Sequence, residues 1–90
     1  MDPYTQAVAK IIQEQQTIIG PVALDQAKKV AGIEVASGKV KLVGEGKDLL
    51  SKLVNQYAKL FGRASIEVCR EAVKETKSPL THEQLPEILQ

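Results

Sequence analysis

The sequence predicts a mainly α-helical protein, a compact bundle of about four helices with a pseudo-two-fold internal repeat. A possible β-hairpin at about 33–43 lies between the repeats. Three observations lead to this prediction. Apolar residues recur at helical spacing, glycines divide the helical segments into pairs, and the second half of the chain repeats the pattern of the first half. Because aromatic residues make up only 3% of the chain, we expect an aliphatic core packed between helices.

Length and composition indicate one small cytoplasmic domain, at 1–90. A net charge of +1 is too balanced to favour a nucleic acid or an anionic membrane as partner. The single cysteine excludes an intramolecular disulfide and fits a reducing cytosol. No apolar run approaches the roughly 20 residues that cross a bilayer, and the N-terminus lacks the basic-then-apolar order of a signal peptide.

The first helix is predicted to begin at Asp2 and Pro3. Aspartate accepts a hydrogen bond at an N-cap, and proline has its φ already set for a first turn. The helix must end or kink at Gly20, because Pro21 disfavours the helical conformation for the residue before it. A second helix then runs from Pro21 to about Val30.

Residues 33–43 change to a period of two, which predicts two short strands around a Ser37-Gly38 turn. The predicted register is Ile33 opposite Leu42, Glu34 opposite Lys41, Val35 opposite Val40 and Ala36 opposite Lys39. This register places the apolar residues on one face and pairs opposite charges. An irregular loop is the alternative, because a lone hairpin is marginal in water. A hairpin must pack on the helices or extend a sheet with another copy.

The helical pattern resumes at Lys47, is interrupted by Gly62, and continues from Arg63 to about Glu75. In the tail that follows, Thr81 has a glutamine three residues later, which is the spacing of a capping box. We expect a short terminal helix or a loop there.

A shift of 42 residues (62 − 20) aligns Gly20 with Gly62 without a gap. Apolar and polar positions both match, so we predict pseudo-repeat units at about 4–32 and 46–76, followed by a tail at 77–90. Chance similarity between two amphipathic helix pairs is the alternative.

Small residues follow one face of the second helix in each predicted unit, because spacings of three and four residues share a helix face. These residues are Gly20, Ala23 and Ala27 in the first unit and Gly62, Ser65 and Cys69 in the second. Small side chains permit close helix approach. We therefore predict that these stripes mark a helix crossing or an interface.

The run IIGPVA, Ile18 to Ala23, resembles a short helical module of unknown function found in cyanobacterial and other bacterial signalling proteins. There it often stands at the end of kinase-type or receiver-type chains. The resemblance covers the first helix–Gly-Pro–helix unit and extends toward Val43, whereas the second unit has Arg63 in place of the proline. It implies a protein–protein interaction or dimerisation module and supplies no catalytic residues.

The sequence offers little catalytic or metal-binding chemistry. His82 is the only histidine and Cys69 the only cysteine, which excludes a metal site built from several histidines or cysteines. A phosphate-accepting histidine is the alternative reading of His82, but its place between Pro79 and Pro86 predicts a solvated loop or a first turn. We expect Cys69 to be buried and inert. We predict no enzymatic activity, no cofactor and no small-molecule ligand.

We therefore predict a non-catalytic module for homodimerisation or for docking to another signalling protein, acting in bacterial signalling or regulation. A helix-turn-helix-like DNA-binding protein is the alternative, because residues 18–30 have the order helix, glycine turn, helix. The second helix offers few of the Arg and Asn side chains that usually read bases. Its candidates are Asp25, Gln26, Lys28 and Lys29. If a functional surface exists, we expect it on the Gln13–Thr17 face or on the hairpin.

Overall fold

The computed structural model describes residues 2–90; Met1, the first residue of the predicted domain, lies outside them. The elements in that range are α1 (Pro3–Ile19), α2 (Val22–Lys28), β1 (Ile33–Ala36), β2 (Lys39–Leu42), α3 (Gly46–Phe61), α4 (Arg63–Lys74) and two 3-10 helices at His82–Gln84 and Glu87–Leu89. The predicted mainly helical fold with a hairpin between the two helix pairs is confirmed.

Helix α1 begins and ends where the sequence predicts. Its N-cap is Asp2, which accepts one hydrogen bond from the backbone N–H of Thr5 at 3.0 Å and another from the Thr5 hydroxyl at 2.6 Å. At the other end, the N–H of Gly20 donates to the carbonyl of Gln16 at 2.9 Å. The bond to Asp2 gives the Thr5 N–H a partner, and the bond from Gly20 does the same for the Gln16 carbonyl, so both helix ends have fewer unpaired backbone groups.

The hairpin forms in the predicted register, with Ile33 opposite Leu42 and Val35 opposite Val40. Both turn residues have positive φ, +51° at Ser37 and +77° at Gly38, as a type I′ turn requires. Its apolar face packs on the helices of the same chain. The irregular-loop alternative is therefore wrong, and the hairpin packs on its own chain without a second copy, with Val35 and Val40 partly buried.

Helix α2 is shorter than predicted, ending at Lys28 instead of about Val30. The chain turns away because Gly32 has φ +95° and no room for a side chain. A Cβ there would lie 2.7 Å from Leu49 Cδ2 and 2.7 Å from the Val43 carbonyl oxygen. This close approach joins the hairpin to α3.

The core is aliphatic, as predicted, with one aromatic exception. Tyr57 is fully buried at its centre. The apolar core residues are Ala7, Val8, Ile11, Ile12, Ala23, Ala27, Val30, Ile33, Leu49, Leu50, Leu53, Val54, Tyr57, Cys69, Ala72, Val73, Leu80 and Leu89. All four helices contribute to this set, so each helix depends on the others for burial of its apolar face.

The tail covers the end of the bundle where α1 and α3 begin. The Tyr4 hydroxyl donates to the Gln84 carbonyl at 2.7 Å, and Lys47 Nζ donates to the Glu83 carbonyl at 3.1 Å. The predicted capping box forms around the 3-10 helix that begins at His82, and Leu89 is buried against the helices. We call this covered end the tail end.

Candidate interaction surfaces

Two buried hydrogen bonds relate the helix pairs reciprocally. Gln15 Nε2 donates to the Ser65 carbonyl at 3.3 Å, and the Tyr57 hydroxyl donates to the Ala23 carbonyl at 2.6 Å. The donors are 42 residues apart (57 − 15), and so are the acceptors (65 − 23). Each unit thus gives the other the same contact that it receives, as a two-fold relationship requires.

A third contact joins equivalent positions at the tail end. A Cβ at Gly46 would lie 2.6 Å from Cγ of Tyr4, and these residues are also 42 positions apart (46 − 4). Helices α1 and α3 therefore start side by side at this contact. Near the end of α1, Gln15 bonds to Ser65, which follows the end of α3 closely, and near the end of α3, Tyr57 bonds to Ala23, which follows the end of α1 closely. Helices α1 and α3 therefore run parallel and finish at the same end. We call this the junction end.

Four of the six small residues that the sequence analysis assigned to a helix crossing or an interface are buried inside the bundle. Ala23, Ala27, Ser65 and Cys69 are all buried within the chain. They face the other helices of the same bundle, and this burial leaves them no surface to offer a second copy.

The two glycines of the stripes have a different role from the predicted close approach. A Cβ at Gly20 or at Gly62 would meet no atom within 4 Å. Their φ and ψ values are +75° and −158° at Gly20 and +83° and −170° at Gly62, a region that is nearly restricted to glycine. The glycines are needed for the backbone turn between helices, and the adjacent stripe residues do the packing.

The structure gives Cys69 no nucleophilic character. Its side chain is fully buried, and burial raises the pKa of the thiol to about 11, although a contact with Gln15 Nε2 at 3.5 Å opposes that shift. A protonated, enclosed thiol is a poor nucleophile. His82 is exposed at the first position of a 3-10 helix, which is the predicted setting. Within residues 2–90, no three His, Cys, Asp or Glu side chains are grouped to hold a metal ion.

Four large apolar side chains are exposed at the junction end, and we call them the junction patch. They are Ile18 (61% exposed), Leu60 (49%), Phe61 (38%) and Val22 (36%). Each lies within two residues of Gly20 or Gly62 in the sequence. Adjacent side chains on a helix point in directions about 100° apart. Both members of an Ile-Ile or Leu-Phe pair therefore cannot face the core, and this rule could have indicated the exposed residues from the sequence.

A groove of about 620 Å³ separates α1 from the hairpin, and we call it the lysine groove. Its floor includes Ile12, Leu24, Val35 and Val40, and its rim carries Lys10, Lys28, Lys77 and Glu75. Gln13 and Gln16 of α1 also line it. The groove therefore combines parts of the two surfaces that the sequence singled out, the Gln13–Thr17 face and the hairpin.

No protein-family model, curated protein or solved structure matches this chain. The likeness of Ile18–Ala23 to a signalling module therefore stays a prediction. Among residues 2–90, none of the helices has the length and apolar character that crossing a membrane requires.

Proposed function

We propose that this protein is a non-catalytic interaction module that forms a homodimer through the junction patch. The observation that carries the proposal is the contrast between the two ends of the bundle. The tail covers one end, with Leu89 buried, whereas Ile18 and Leu60 are about half exposed or more at the other end. Large apolar side chains exposed at one end of a bundle are candidates for a binding surface.

A second copy is the occupant that the patch fits best. Ile18 and Leu60 are equivalent positions of the two units (60 − 18 = 42), so the patch has approximately two-fold character, and a two-fold dimer uses the same patch on both copies. The net charge of +1 brings little repulsion between copies. A chain of 90 residues also gains stability from association, because small domains bury a limited share of their surface.

The cellular setting is a separate part of the proposal. The likeness of the IIGPVA run at Ile18–Ala23 to a module of bacterial signalling chains supports a role in signalling or regulation. The single cysteine, which is buried and unpaired, fits a reducing cytoplasm.

The DNA-binding alternative gains no support from the geometry of α2. This helix is only 7 residues long. Gln26, one of the candidate base-reading residues, is 8% exposed, and its Oε1 accepts a hydrogen bond from Gln56 Nε2 at 2.7 Å. A side chain held inside the bundle is not presented to a major groove.

Size-exclusion chromatography with light scattering tests the dimer. We expect the wild-type mass to rise toward that of two chains with concentration, and the double variant Ile18→Lys/Leu60→Lys to stay monomeric. The matched control is Val43→Lys, because Val43 is 54% exposed but its N–H is bonded to Gly32, near the tail end. We expect this control to dimerise like the wild type.

Circular dichroism must show that the double variant keeps its helical content, since both replaced side chains are substantially exposed. A wild-type monomer at every concentration would refute the homodimer. Loss of the dimer in Val43→Lys as well would refute the junction patch as its interface.

A further inference from the structure

The lysine groove has the form of a peptide-binding groove. Its volume of about 620 Å³ lies in the range of ligand sites, which is roughly 300 to 1,000 Å³. It is open to solvent along one side, with α1 as one wall and the hairpin, held in its type I′ turn by Ser37 and Gly38, as the other. Small ligands are usually bound in sites that enclose most of their surface, so an open groove suits a longer segment better.

The charges at the rim favour an acidic occupant. Three lysines against one glutamate give the lining a net charge of +2. Lys10 Nζ lies 3.9 Å from Glu75 Oε2, and this ion pair partly neutralises the charge of the lysine. Lys28 and Lys77 belong to none of the ion pairs found among residues 2–90, so their charges are available to a partner's carboxylates.

The α1 wall adds polar contacts without adding negative charge. Gln13 and Gln16 are exposed and line the groove, and an amide side chain both donates and accepts hydrogen bonds. The one glutamate of the rim, Glu75, already faces Lys10. A carboxylate that enters between α1 and the hairpin therefore meets donors rather than like charge.

We propose that the lysine groove binds an acidic amphipathic helix of a partner protein. The apolar side of that helix lies on the floor formed with Ile12, Leu24, Val35 and Val40, and its carboxylates reach Lys28 and Lys77. Helices bound in grooves commonly use apolar anchors at spacings of three and four residues in this way. The groove and the junction patch share no residue, so this binding is independent of the proposed dimer.

The first experiment locates the binding by NMR on the ¹⁵N-labelled full chain. The probe is a synthetic peptide of about 14 residues, roughly four helical turns, with leucine at helical anchor positions and glutamate elsewhere. A peptide with lysine in place of every glutamate is the control. We expect the acidic peptide to shift the amides of Ala9, Gln13, Val35 and Gly38, and to bind more weakly as salt is added.

Charge-reversed variants test the assigned lysines. By fluorescence anisotropy, Lys28→Glu/Lys77→Glu should bind the acidic peptide about tenfold more weakly and prefer the basic one, because rim charges steer and select partners. The matched control is Lys29→Glu/Lys39→Glu, which changes the same charge at exposed lysines outside the groove lining. We expect it to retain affinity within about twofold.

Equal binding of both peptides, or shifts centred on Ile18 and Leu60, would overturn the inference. So would displacement of the peptide by octanoate, a short fatty acid, at a lower concentration than by unlabelled peptide, because the groove would then bind a lipid-like molecule. Circular dichroism of each variant separates lost binding from lost folding. The monomeric variant Ile18→Lys/Leu60→Lys should still bind the acidic peptide. Loss of binding in that folded variant would count against a groove that acts alone.

Discussion

Gln15 and Tyr57 occupy equivalent positions in the two helix pairs, and each donates a hydrogen bond to the backbone of the other pair. The acceptors are the Ser65 and Ala23 carbonyls, at 3.3 Å and 2.6 Å. Both donors are at most 1% exposed. Because a buried donor left without a partner destabilises the fold by about 1–3 kcal/mol, the two bonds oppose any sliding of one helix pair along the other.

Replacing Tyr57 by phenylalanine should lower the free energy of unfolding by about 1 kcal/mol. The ring still fills the core, and the Ala23 carbonyl keeps the bond that a helical carbonyl accepts four residues on, so the loss stays at the lower end. Burial also raises the pKa of the Tyr57 hydroxyl, which keeps it a donor in alkaline solution. Urea unfolding followed by circular dichroism measures the change, and unchanged stability would contradict the role of the bond.

Substitutions of Gly62 should be costly for a backbone reason. We expect Gly62→Ala and Gly62→Leu each to lower stability by about 1–3 kcal/mol, since both force a side chain into a glycine-only region of φ and ψ. The two losses should be similar, because nothing lies within 4 Å of a Cβ at this position. A loss in the leucine variant far above that in the alanine variant would restore the idea of a close helix crossing. Thermal melts of both variants compare them directly.

Gly46→Ala should be destabilising for a steric reason, and the effect should depend on Tyr4. In the wild-type background the new Cβ would lie 2.6 Å from Tyr4 Cγ. In a Tyr4→Ala background the same change should be less destabilising, because the ring contacts are gone while the contact with the Cβ of residue 4, at 2.7 Å, remains. A double-mutant cycle on unfolding free energies measures this coupling. Equal effects in both backgrounds would show that the contact carries no energy.

Asp2→Ala should lower stability at neutral pH by about 1 kcal/mol through loss of the N-cap. Hydrogen bonds from the Thr5 hydroxyl and N–H hold the pKa of Asp2 below its ordinary value of 3.8. A lowered pKa in the folded state means that the contribution is present above the ordinary pKa and is lost as pH falls below it. The difference between wild type and variant should therefore shrink below about pH 4.

Chemical unfolding at a series of pH values measures that difference. Asp25→Ala, at an exposed acid on α2, is the control and should show a much smaller pH-dependent change. A gap between wild type and Asp2→Ala that stays constant down to strongly acidic pH would contradict the cap as its source.

The elements of this fold were predictable where the signal is local. Period-two alternation and the Ser37-Gly38 turn predicted the hairpin and its register, and the Asp2-Pro3 start predicted the N-cap of α1. In both cases residues adjacent in the sequence determine the structure.

The surfaces were less predictable because they depend on contacts between distant segments. Gly46 stands just before the predicted start of a helix at Lys47, and its missing Cβ has meaning only beside Tyr4. Gln15 is a polar residue that the helical pattern alone does not place in the core, and it is buried against α4. The lysine groove joins α1, the hairpin and Lys77, and no periodicity in one segment indicates that these come together.

The covered tail end has a consequence for how large an assembly can grow. A bundle with exposed apolar surface at both ends would associate end to end into filaments of unlimited length. Here Tyr4 and Lys47 bind the tail across one end of the bundle, and four of the five large apolar side chains found exposed among residues 2–90 lie at the junction end. If two copies associate through their junction ends, the two outer ends of the dimer are tail ends that the tail already covers. Assembly then stops at the dimer.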